Sequence, residues 1–443
     1  MTPWTKAQAE RHLQTLELFG MRFGLDRMRR MMTALGAPQQ RFDAIHVVGT
    51  NGKTSTTRMI AAILEHHGLR TGAYLSPHLM SYCERVQIGE RDLDDDAFAD
   101  AVARAARAAE LVNHTLAGDD HVTQFELLTA AALSEMAERD VEVAVVEAGL
   151  GGRYDATSVI DSRVTVLTNV GLEHTRWLGP TVRDIAEEKL AVVHPGGTLV
   201  LGDDLVSEAL AVAERVAAEQ DARIVLADVS SVDVRSVIDE PPAGPRLARG
   251  PFQRRNFALA RMAAGAYLES AGIELSEQAV DDVAASIEVP GRLQVVDDDP
   301  LTVLDGAHNP DAVRALVEAL PEVLAARPVG LVLGVLEDKD AASMLGALLG
   351  VCERAWFTAP PSSRALSPAA LQSLARQLDF DAVVCEPEPW RALTAAQRWA
   401  RERGDGAAVL ATGSVYLVGD LLGRLAGSGT LSRTQASTRG AGR

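Results

Sequence analysis

The sequence predicts an α/β fold in which mostly parallel sheets are joined by helical crossovers. Short β-branched runs alternate with amphipathic helical stretches along the chain, which is the pattern typical of parallel sheets. The 443 residues exceed the size of one ordinary hydrophobic core, so we expect more than one domain. The predicted strands are 44–48, 141–147 and 164–169 in the first half, then 301–305, 329–334, 354–358, 382–386 and 407–412 in a second series.

Two segments interrupt this alternation. Residues 227–251 are rich in proline and glycine, which predicts an irregular excursion on the surface. Residues 424–443 contain four arginines and no acidic residue among many Gly, Ser and Thr, a composition typical of a disordered tail. We place the domain junction near Val289-Pro290-Gly291, before the second series of strands.

The bulk composition excludes several classes of partner. The net charge is −18 and only 4% of the residues are aromatic, so a phosphate backbone or stacked bases would find few contacts. No apolar run is long enough to span a bilayer, and the first eleven residues lack the apolar core of a signal peptide. Three scattered cysteines form no disulfide framework. We expect a cytoplasmic monomer that binds neither nucleic acid nor membrane.

A glycine-containing loop lies between the first predicted strand and a predicted helix from Thr54 towards His66. Its residues are Gly49, Thr50, Asn51, Gly52, Lys53 and Thr54. Backbone N–H groups and a helix N-terminus at such a junction can hold a polyphosphate, with Lys53 reaching the β/γ-phosphates and Thr54 facing magnesium or phosphate. The spacing is not that of a standard P-loop, which would need glycine at Val47. The alternative is an ordinary strand–helix turn.

Three polar residues follow predicted strands and could meet at one hard cation. Glu147 ends an apolar strand, where an unpaired carboxylate would be costly. His174 lies shortly after strand-terminal Asn169, and Ser76 also follows a strand. The carboxyl ends of parallel strands form the active-site edge of such sheets, and magnesium takes few protein ligands besides water and phosphate. Each residue alone could equally be structural: a salt-bridged carboxylate, a satisfied histidine and a turn serine.

Nine sequence stretches, in order along nearly the whole chain, resemble the folylpolyglutamate synthase/dihydrofolate synthase family, a branch of the Mur-ligase superfamily. They are HVVGTNGKTS (46–55), SPHLMSYCERV (76–86), TQFELLTAAAL (123–133), VVEAGLGGRYDATSVI (145–160), LEHTRWLGPTVRDIAEEK (172–189), QRRN (253–256), PGRLQ (290–294), LDGAHNP (304–310) and LEDKD (336–340).

The resemblance implies a P-loop-type ATPase domain with a mostly parallel sheet and a smaller Rossmann-like C-terminal domain. Residues 1–289 would form the ATP-binding domain with the pterin-side site, 290–428 the glutamate-ligase domain, and 429–443 a disordered tail. The implied activity is the ATP-dependent addition of L-glutamate to dihydropteroate, to folyl-polyglutamates or to both, through an acyl phosphate. ATP would bridge the two domains, and two magnesium ions would serve as cofactors with it.

The resemblance also assigns residues. The magnesium ligands fall on Ser76, Glu147 and His174; the nucleotide contacts beyond the loop fall on Asn256 (adenine), Arg292 (γ-phosphate), Asp305 and His308 (ribose or hinge). Pterin-side contacts fall on Arg22, Phe23, Gly24, Thr123, Gln124, Phe125, Glu126, Tyr154, Asp155 and Ala156. Lys53, His174 and Lys189 are the implied catalytic residues. Lys339 and Arg364 are candidates for the glutamate carboxylates.

Lys189 is implied to be carbamylated, which would make it a carboxylate-like ligand for a second magnesium ion. The chain departs from the family here, because Leu190-Ala191 replaces an Ala-Gly pair. Its flanks alone indicate a solvated helix lysine beside two acids.

Two other functions remain open from the sequence. One is a phosphate-loop ATPase or kinase without ligation, or a regulatory nucleotide-binding module, neither of which would need PGR and DGAHN in a second domain. The other is a different Mur-type amide ligase, against which the SPHL, TQFE and GRYDAT stretches favour a folate substrate.

Overall fold

The computed structural model of this chain describes residues 3–16, 24–202, 204–227, 250–404 and 406–428. The chain divides into two units. The first unit comprises Met1–Val237 with Arg255–Ala285, and the second comprises Ile238–Arg254 with Ser286–Arg443. Within the described part, no helix is both long and apolar enough to cross a membrane.

The first unit alternates helices and strands around one sheet. Its helices are α1 (Lys6–Thr15), α2 (Asp26–Ala34), α3 (Lys53–His66), α4 (Asp95–Asn113), α5 (Gln124–Glu138), α6 (Thr175–Leu178), α7 (Val182–Leu190), α8 (Ser207–Glu219), α9 (Pro251–Ser270, whose first four residues group with the second unit) and α10 (Glu277–Ser286, whose last residue does). Its strands are β1 (Asp43–Val48), β2 (Thr71–Tyr74), β3 (Val86–Ile88), β4 (Arg91–Asp92), β5 (Val143–Glu147), β6 (Ser162–Leu167), β7 (Thr198–Gly202) and β8 (Arg223–Ala227).

The sheet of the first unit has eight strands in the order β4-β3-β2-β5-β1-β6-β7-β8. The six strands from β2 to β8 in this order pair in parallel, and β3 and β4 add an antiparallel edge. Strand β1 is therefore central, with β5 on one side and β6 on the other. Val47 lies opposite Glu147 on β5, and Val48 lies opposite Leu167 on β6, so the segments after these strands start side by side.

Local sequence explains where the helices begin. Asp94 accepts a hydrogen bond from the Ala97 N–H at the start of α4, and Thr123 with Glu126 forms a reciprocal capping box at the start of α5. Alanine and leucine faces of α4 and α5 then pack into one core, while α7 and α8 pack into a second with residues of β6 and β7. Burial of these faces supplies the stabilisation that propensity alone would not.

The second unit is a smaller α/β structure with its own core. Its strands are β9 (Gln294–Asp298), β10 (Leu301–Leu304), β11 (Val329–Leu333), β12 (Arg354–Phe357), β13 (Val383–Cys385) and β14 (Ala408–Thr412). Its helices are α11 (Pro310–Leu324), α12 (Ala341–Leu348), α13 (Pro368–Gln377), α14 (Pro389–Arg403) and α15 (Val415–Ser428). The strand order is β13-β12-β11-β14-β10-β9, parallel except for the β9–β10 pair. Proline at the first position of α11, α13 and α14 suits a helix start.

The predicted α/β class with mostly parallel sheets is confirmed, and the differences lie at element ends. The strand predicted to reach residue 169 ends at Leu167, because the next two residues bind the loop after β1 instead. Residues 424–428, predicted to open a disordered tail, continue α15, and residues 429–443 lie outside the described part. Of the predicted excursion, 228–249 lie outside it too, whereas Pro251 already begins α9.

Residues 250–254, at the end of that excursion, group with the second unit. The predicted division placed them in the first domain, which was expected to end at residue 289. The Arg254 guanidinium pairs with the Glu322 carboxylate at 2.7 Å, and the Gly250 N–H donates to the same carboxylate at 3.1 Å. These contacts hold residues 250–254 on helix α11.

Candidate active site at the phosphate loop

The loop from Gly49 to Thr54 has a backbone that only glycine permits at two positions. Gly49 has a φ of 150° and Gly52 a φ of 83°, both in the region that disfavours other residues. A Cβ at Gly49 would collide with the Thr168 hydroxyl, and a Cβ at Gly52 would collide with the Asn256 side chain. The structure therefore brings Asn256, the predicted adenine contact, onto the phosphate loop.

The segment after β6 holds this loop in place. The Asn51 N–H donates to the Asn169 side-chain oxygen at 2.9 Å, and the Thr50 N–H donates to the Asn169 carbonyl at 3.0 Å. The Thr168 hydroxyl donates to the Asn51 carbonyl at 2.6 Å. A loop tied on both sides is preorganised to present its N-terminal helix end to an anion. Thr168 was missed by the sequence reasoning, and Asn169 was named only as a strand end.

Two lysines converge on one carbonyl of the loop. The Lys53 ammonium donates to the Gly49 and Thr50 carbonyls at 3.1 and 3.2 Å, and Lys189 donates to the Gly49 carbonyl at 2.7 Å. Lys189 is only 4% exposed, so the solvated helix lysine considered from the sequence is wrong. Burial, and next the charge of Lys53, lower the pKa of Lys189 to about 7, against the opposing pull of Glu173 and Asp155.

The glycine run after β5 explains how Lys189 comes so close. A Cβ at Gly152 would stand 2.6 Å from the carbonyl oxygens of Glu188 and Lys189, so glycine is required for the last turn of α7 to pack there. The Arg153 N–H also donates to the Glu188 carbonyl at 3.0 Å. Leu190, where the chain departs from the family, is fully buried in the core beside α8.

Glu147, Thr54 and Ser76 meet at the end of β5. Glu147 is 1% exposed, and its two carboxylate oxygens accept from the Thr54 hydroxyl at 2.9 Å. One of them also accepts from the Ser76 N–H at 3.0 Å. These oxygen donors at the edge of a phosphate loop are the ligand type that magnesium prefers. The structure thus brings two of the three predicted metal ligands together.

The third predicted ligand, His174, lies at the start of α6 and is more open. Its side chain is 41% exposed, and its backbone adopts a left-handed conformation with a φ of 54°. Its imidazole lies 3.8 Å from the Glu173 carboxylate. Among the described residues, no three His, Cys, Asp or Glu side chains cluster as metal ligands, and the predicted set includes only two residues of these types.

The predicted pterin-side residues at the start of α5 bind the protein itself. Thr123 and Glu126 cap the helix, and the Glu126 carboxylate also accepts from the Arg27 guanidinium at 3.0 Å. The Gln124 amide donates to the Leu13 carbonyl at 2.8 Å. Phe125 is half-buried, with its ring over Gly149. A role for Arg27 was not predicted, because nothing in the sequence around it apart from its charge indicates the ion pair with Glu126.

Asp155 organises the loop that follows Glu147. Its buried carboxylate accepts from the Leu150 N–H at 2.8 Å, the Thr157 N–H at 3.0 Å and the Thr157 hydroxyl at 2.5 Å. Burial raises the pKa of Asp155, and these hydrogen bonds oppose the rise. Its neighbours differ: Tyr154 is exposed and Ala156 is part of the core.

The remaining predicted pterin-side residues are Arg22, Phe23 and Gly24, before α2. Gly24 has a φ of 124° with open space around it. Arg22 and Phe23 lie outside the described residues.

In the second unit, Arg292, Asp305 and His308 lie around the end of β10. Asp305 is buried and accepts from the Leu293 and Ala307 N–H groups at 2.9 and 2.8 Å. Burial raises the pKa of Asp305, while Arg292 opposes the rise. The Arg292 guanidinium packs so tightly on Gly306 that a Cβ there would overlap it. A ring nitrogen of His308 pairs with the Gly306 carbonyl at 2.9 Å.

The two cations proposed for glutamate also lie together in this unit. The Arg364 guanidinium is 3.1 Å, and the Lys339 ammonium 3.9 Å, from the Asp338 carboxylate. A bridge between Leu336 and Ala365 holds the two segments side by side. Ammonium and guanidinium groups are the usual partners of a carboxylate in proteins, and both of these groups lie beside Asp338.

Comparison with known proteins agrees with this geometry. Residues 47–226 match the Mur ligase middle domain, and residues 291–415 match the Mur ligase glutamate ligase domain. The chain is 35% identical to folylpolyglutamate synthase of Lacticaseibacillus casei over 364 residues, covering 78% of this chain and 84% of that protein. It is 31% identical to dihydrofolate synthase/folylpolyglutamate synthase of Escherichia coli over 441 residues, covering 95% of this chain and 94% of that protein. The chain belongs to the folylpolyglutamate synthase/dihydrofolate synthase family.

Solved structures of the family have the same fold. Folylpolyglutamate synthase of Mycobacterium tuberculosis, complexed with ADP and AMPPCP, has a TM-score of 0.85 at 28% identity, covering 95% of this chain and 99% of that one. The E. coli FolC complex with DHPP and ADP has a TM-score of 0.81 at 29% identity, covering 96% and 98%. The predicted family, fold and enzyme class, a ligase that forms carbon–nitrogen bonds with ATP, are thereby confirmed.

Proposed function

We propose that this member of the family adds L-glutamate to dihydropteroate, to a folyl-polyglutamate or to both, releasing ADP and phosphate. The observation that carries the proposal is the meeting of a preorganised phosphate loop, two lysines and the Glu147 carboxylate at the ends of β1 and β5. Relatives along almost the full length carry both activities in their names.

The chemistry requires a carboxylate to be activated before an amine can displace its oxygen. Transfer of the γ-phosphoryl group of ATP to the substrate carboxylate supplies that leaving group as an acyl phosphate. The transition state spreads negative charge over the phosphoryl oxygens, so catalysis depends on positioned cations and N–H donors. Lys53 would move from the loop carbonyls to the phosphate, and the loop N–H groups would hold its other oxygens. The glutamate amine then attacks the acyl carbon, and phosphate leaves.

The residues around Glu147 fit magnesium by their donor chemistry, since carboxylate and hydroxyl oxygens are hard ligands. Thr54, Ser76 and Glu147 would hold it, with His174 as a further candidate. Magnesium would neutralise charge on the phosphates. We expect His174→Ala to raise the magnesium concentration needed for half-maximal activity. Overlaying titrations of variant and parent would show that His174 is structural.

A second magnesium ion would need another anionic ligand, and we propose that carbamylated Lys189 supplies it. Carbamate formation joins a neutral amine to CO₂, and the low pKa of Lys189 keeps much of the amine neutral near pH 7. Lys189→Ala should lose activity, and acetate should restore part of it if a carboxylate is what the variant lacks. The measurement is the carbamate signal after incubation with labelled bicarbonate, with an enzyme known to contain a carbamylated lysine as the positive control. A signal in the control and none in the parent would exclude the modification.

The decisive experiment measures phosphate release from ATP with glutamate, supplying dihydropteroate and tetrahydrofolate separately. Release that requires glutamate, with a product one glutamate heavier, supports the proposal, and the two pterin arms distinguish a monofunctional from a bifunctional enzyme. Release without glutamate would indicate an ATPase or kinase. Release with neither pterin but with another carboxylate would indicate a different amide ligase.

We also propose that the enzyme is a cytoplasmic monomer. Its mass in solution tests the oligomeric state, and cell fractionation tests the location.

A further inference from the structure

Three buried side chains form a chain of hydrogen bonds between strand β1 and the segment that follows β5. His46 lies on β1, Asp155 follows the glycine run after β5, and Thr157 lies on the short 3₁₀ turn Ala156–Val159. The His46 Nε2 atom is 2.8 Å from the Thr157 hydroxyl, which is 2.5 Å from the Asp155 carboxylate. His46 and Thr157 are fully buried, so water cannot substitute for either bond.

The direction of these hydrogen bonds follows from the donors around Asp155. One carboxylate oxygen accepts the Thr157 N–H and the other accepts the Leu150 N–H, so the group is surrounded by donors and acts as an acceptor. The Thr157 hydroxyl must therefore donate its proton to Asp155. Having one proton, it accepts from His46, which requires the Nε2–H tautomer.

That tautomer leaves the other ring nitrogen of His46 as a bare acceptor. Nδ1 is buried and has no hydrogen-bond partner among the described residues. A buried nitrogen without a partner is destabilising, so a core histidine in this state needs a reason to be there. An aliphatic side chain would fill the same place on β1 without that cost, but it could not donate to Thr157.

The two ends of the chain belong to segments with different tasks. Strand β1 leads directly into the phosphate loop, whereas Asp155 fixes the loop that runs from Glu147 through Gly152 and packs on the last turn of α7. The link therefore fixes the position of one loop relative to the other. Phosphoryl transfer needs the γ-phosphate and the attacking carboxylate in line, and small misplacements are costly.

We propose that His46 is a positioning residue. Through Thr157 and Asp155 it holds the loop that follows Glu147 (the pterin-side loop, residues 148–157) in register with the phosphate loop. The proposal rests on the proposed function for its kinetic test, but the hydrogen-bond chain itself can be measured without any substrate. Burial, with the nearby charge of His194, lowers the pKa of His46 to about 3, so the His46 ring stays neutral at working pH.

The first test is the tautomer. Long-range ¹H–¹⁵N correlation spectra of the full chain, labelled at histidine, should show His46 protonated at Nε2 and not at Nδ1, with no change between pH 6 and 8. A His46 ring protonated at Nδ1, or charged in this range, would overturn the proposal. This result does not depend on whether the enzyme ligates glutamate.

The second test uses matched variants. Thr157→Val removes the hydroxyl at nearly constant volume, and Thr157→Ser keeps it; His46→Leu removes the donor, and His46→Gln offers one at similar reach. Thr157→Val and His46→Leu should each lower kcat/KM for the pterin substrate by at least about tenfold, since misplaced reactants lose much of their rate. ATP affinity, measured by binding without pterin, should stay within about twofold. The hydroxyl- and donor-retaining variants should recover most of the loss.

The outcomes separate the possible errors. If Thr157→Val folds and keeps the parental kcat/KM, the link positions nothing and the proposal fails. If ATP affinity falls in parallel with kcat/KM, the residues only support the core around β1 and the proposal also fails. If the parent ligates no pterin at all, the proposed function is at fault, and hydrogen exchange of residues 149–157 in the same variants then decides whether the link orders that loop.

Discussion

Removing the buried amine of Lys189 should change how the stability of this protein depends on pH. Burial, with the charge of Lys53, lowers the pKa of Lys189 from 10.5 to about 7. A displacement of this size corresponds to roughly 5 kcal/mol against the charged amine, at about 1.4 kcal/mol per pH unit. The folded protein carries this cost below pH 7, where it must bury the charge. The cost is absent above pH 10.5, where the amine is neutral in both states.

Between these limits the unfolded chain binds the proton and the folded protein does not, so stability rises with pH. Lys189→Met removes the titration and keeps the length of the side chain. We expect the free energy of unfolding of the parent, minus that of the variant, to rise by roughly 2–3 kcal/mol between pH 7 and 9. Titrating groups that do not interact with Lys189 cancel in this difference. Urea unfolding at several pH values, in buffers free of CO₂, measures it.

Lys6 provides the control, because its hydrogen bond to Asp95 raises the pKa of its amine instead. Lys6 is charged in both states from pH 7 to 9, so Lys6→Met should show no pH-dependent difference from the parent over that range. A constant difference for Lys189→Met would mean that the amine titrates normally. The neutral-amine argument for its carbamylation would then fail with it.

Three further predictions concern the phosphate loop. Lys53→Ala should abolish ligation without lowering the melting temperature appreciably, because its ammonium binds loop carbonyls rather than packing in a core; a stable variant with parental activity would exclude a phosphate role. Glu147→Gln should raise the magnesium requirement by at least about tenfold in activity titrations, and an unchanged requirement would make Glu147 structural. Gly52→Ala should weaken binding of a fluorescent ATP analogue by at least about tenfold, because the new Cβ would displace Asn256 at a φ that already disfavours alanine. Gly68→Ala is its matched control: the φ is the same, the space around it is open, and nucleotide binding should not change.

The sequence predicted the centre of the fold better than its edges. Strands β1, β5 and β6 were predicted because apolar runs end abruptly in polar residues or glycine, which marks the active edge of a parallel sheet. Strands β7 and β8 were not assigned, since apolar runs of five residues have no period that separates strand from buried helix. The antiparallel edge formed by β3 and β4 depends on tertiary pairing that local pattern does not encode.

In the active site, too, the sequence pattern predicts the local features, whereas contacts between distant segments are visible only in the structure. Glycines at 49 and 52 are visible in the sequence, but Thr168 and Asn256, which fill the space a Cβ would need, lie far away along the chain. The burial of Lys189 was likewise hidden, because the acids beside it indicate a solvated helix face. Its environment is set by the approach of Gly152 to the last turn of α7, a contact without a local signature.

Two of the residues that the motif resemblance assigns to the pterin side have their hydrogen-bond partners within the protein. Glu126 and Asp155 were assigned to the pterin side, yet both carboxylates are buried and committed to partners within the protein. A carboxylate that turned from such partners towards a ligand would leave buried donors unsatisfied, at about 1–3 kcal/mol each. We therefore infer that these two side chains shape the loop after β5 and the start of α5, and that the exposed Tyr154 and the half-buried Phe125 are the side chains that contact a substrate. Tyr154→Ala should accordingly raise the KM for the pterin substrate without changing stability, whereas Asp155→Asn should lower both activity and melting temperature; the opposite pattern in paired kinetic and thermal measurements would contradict this division.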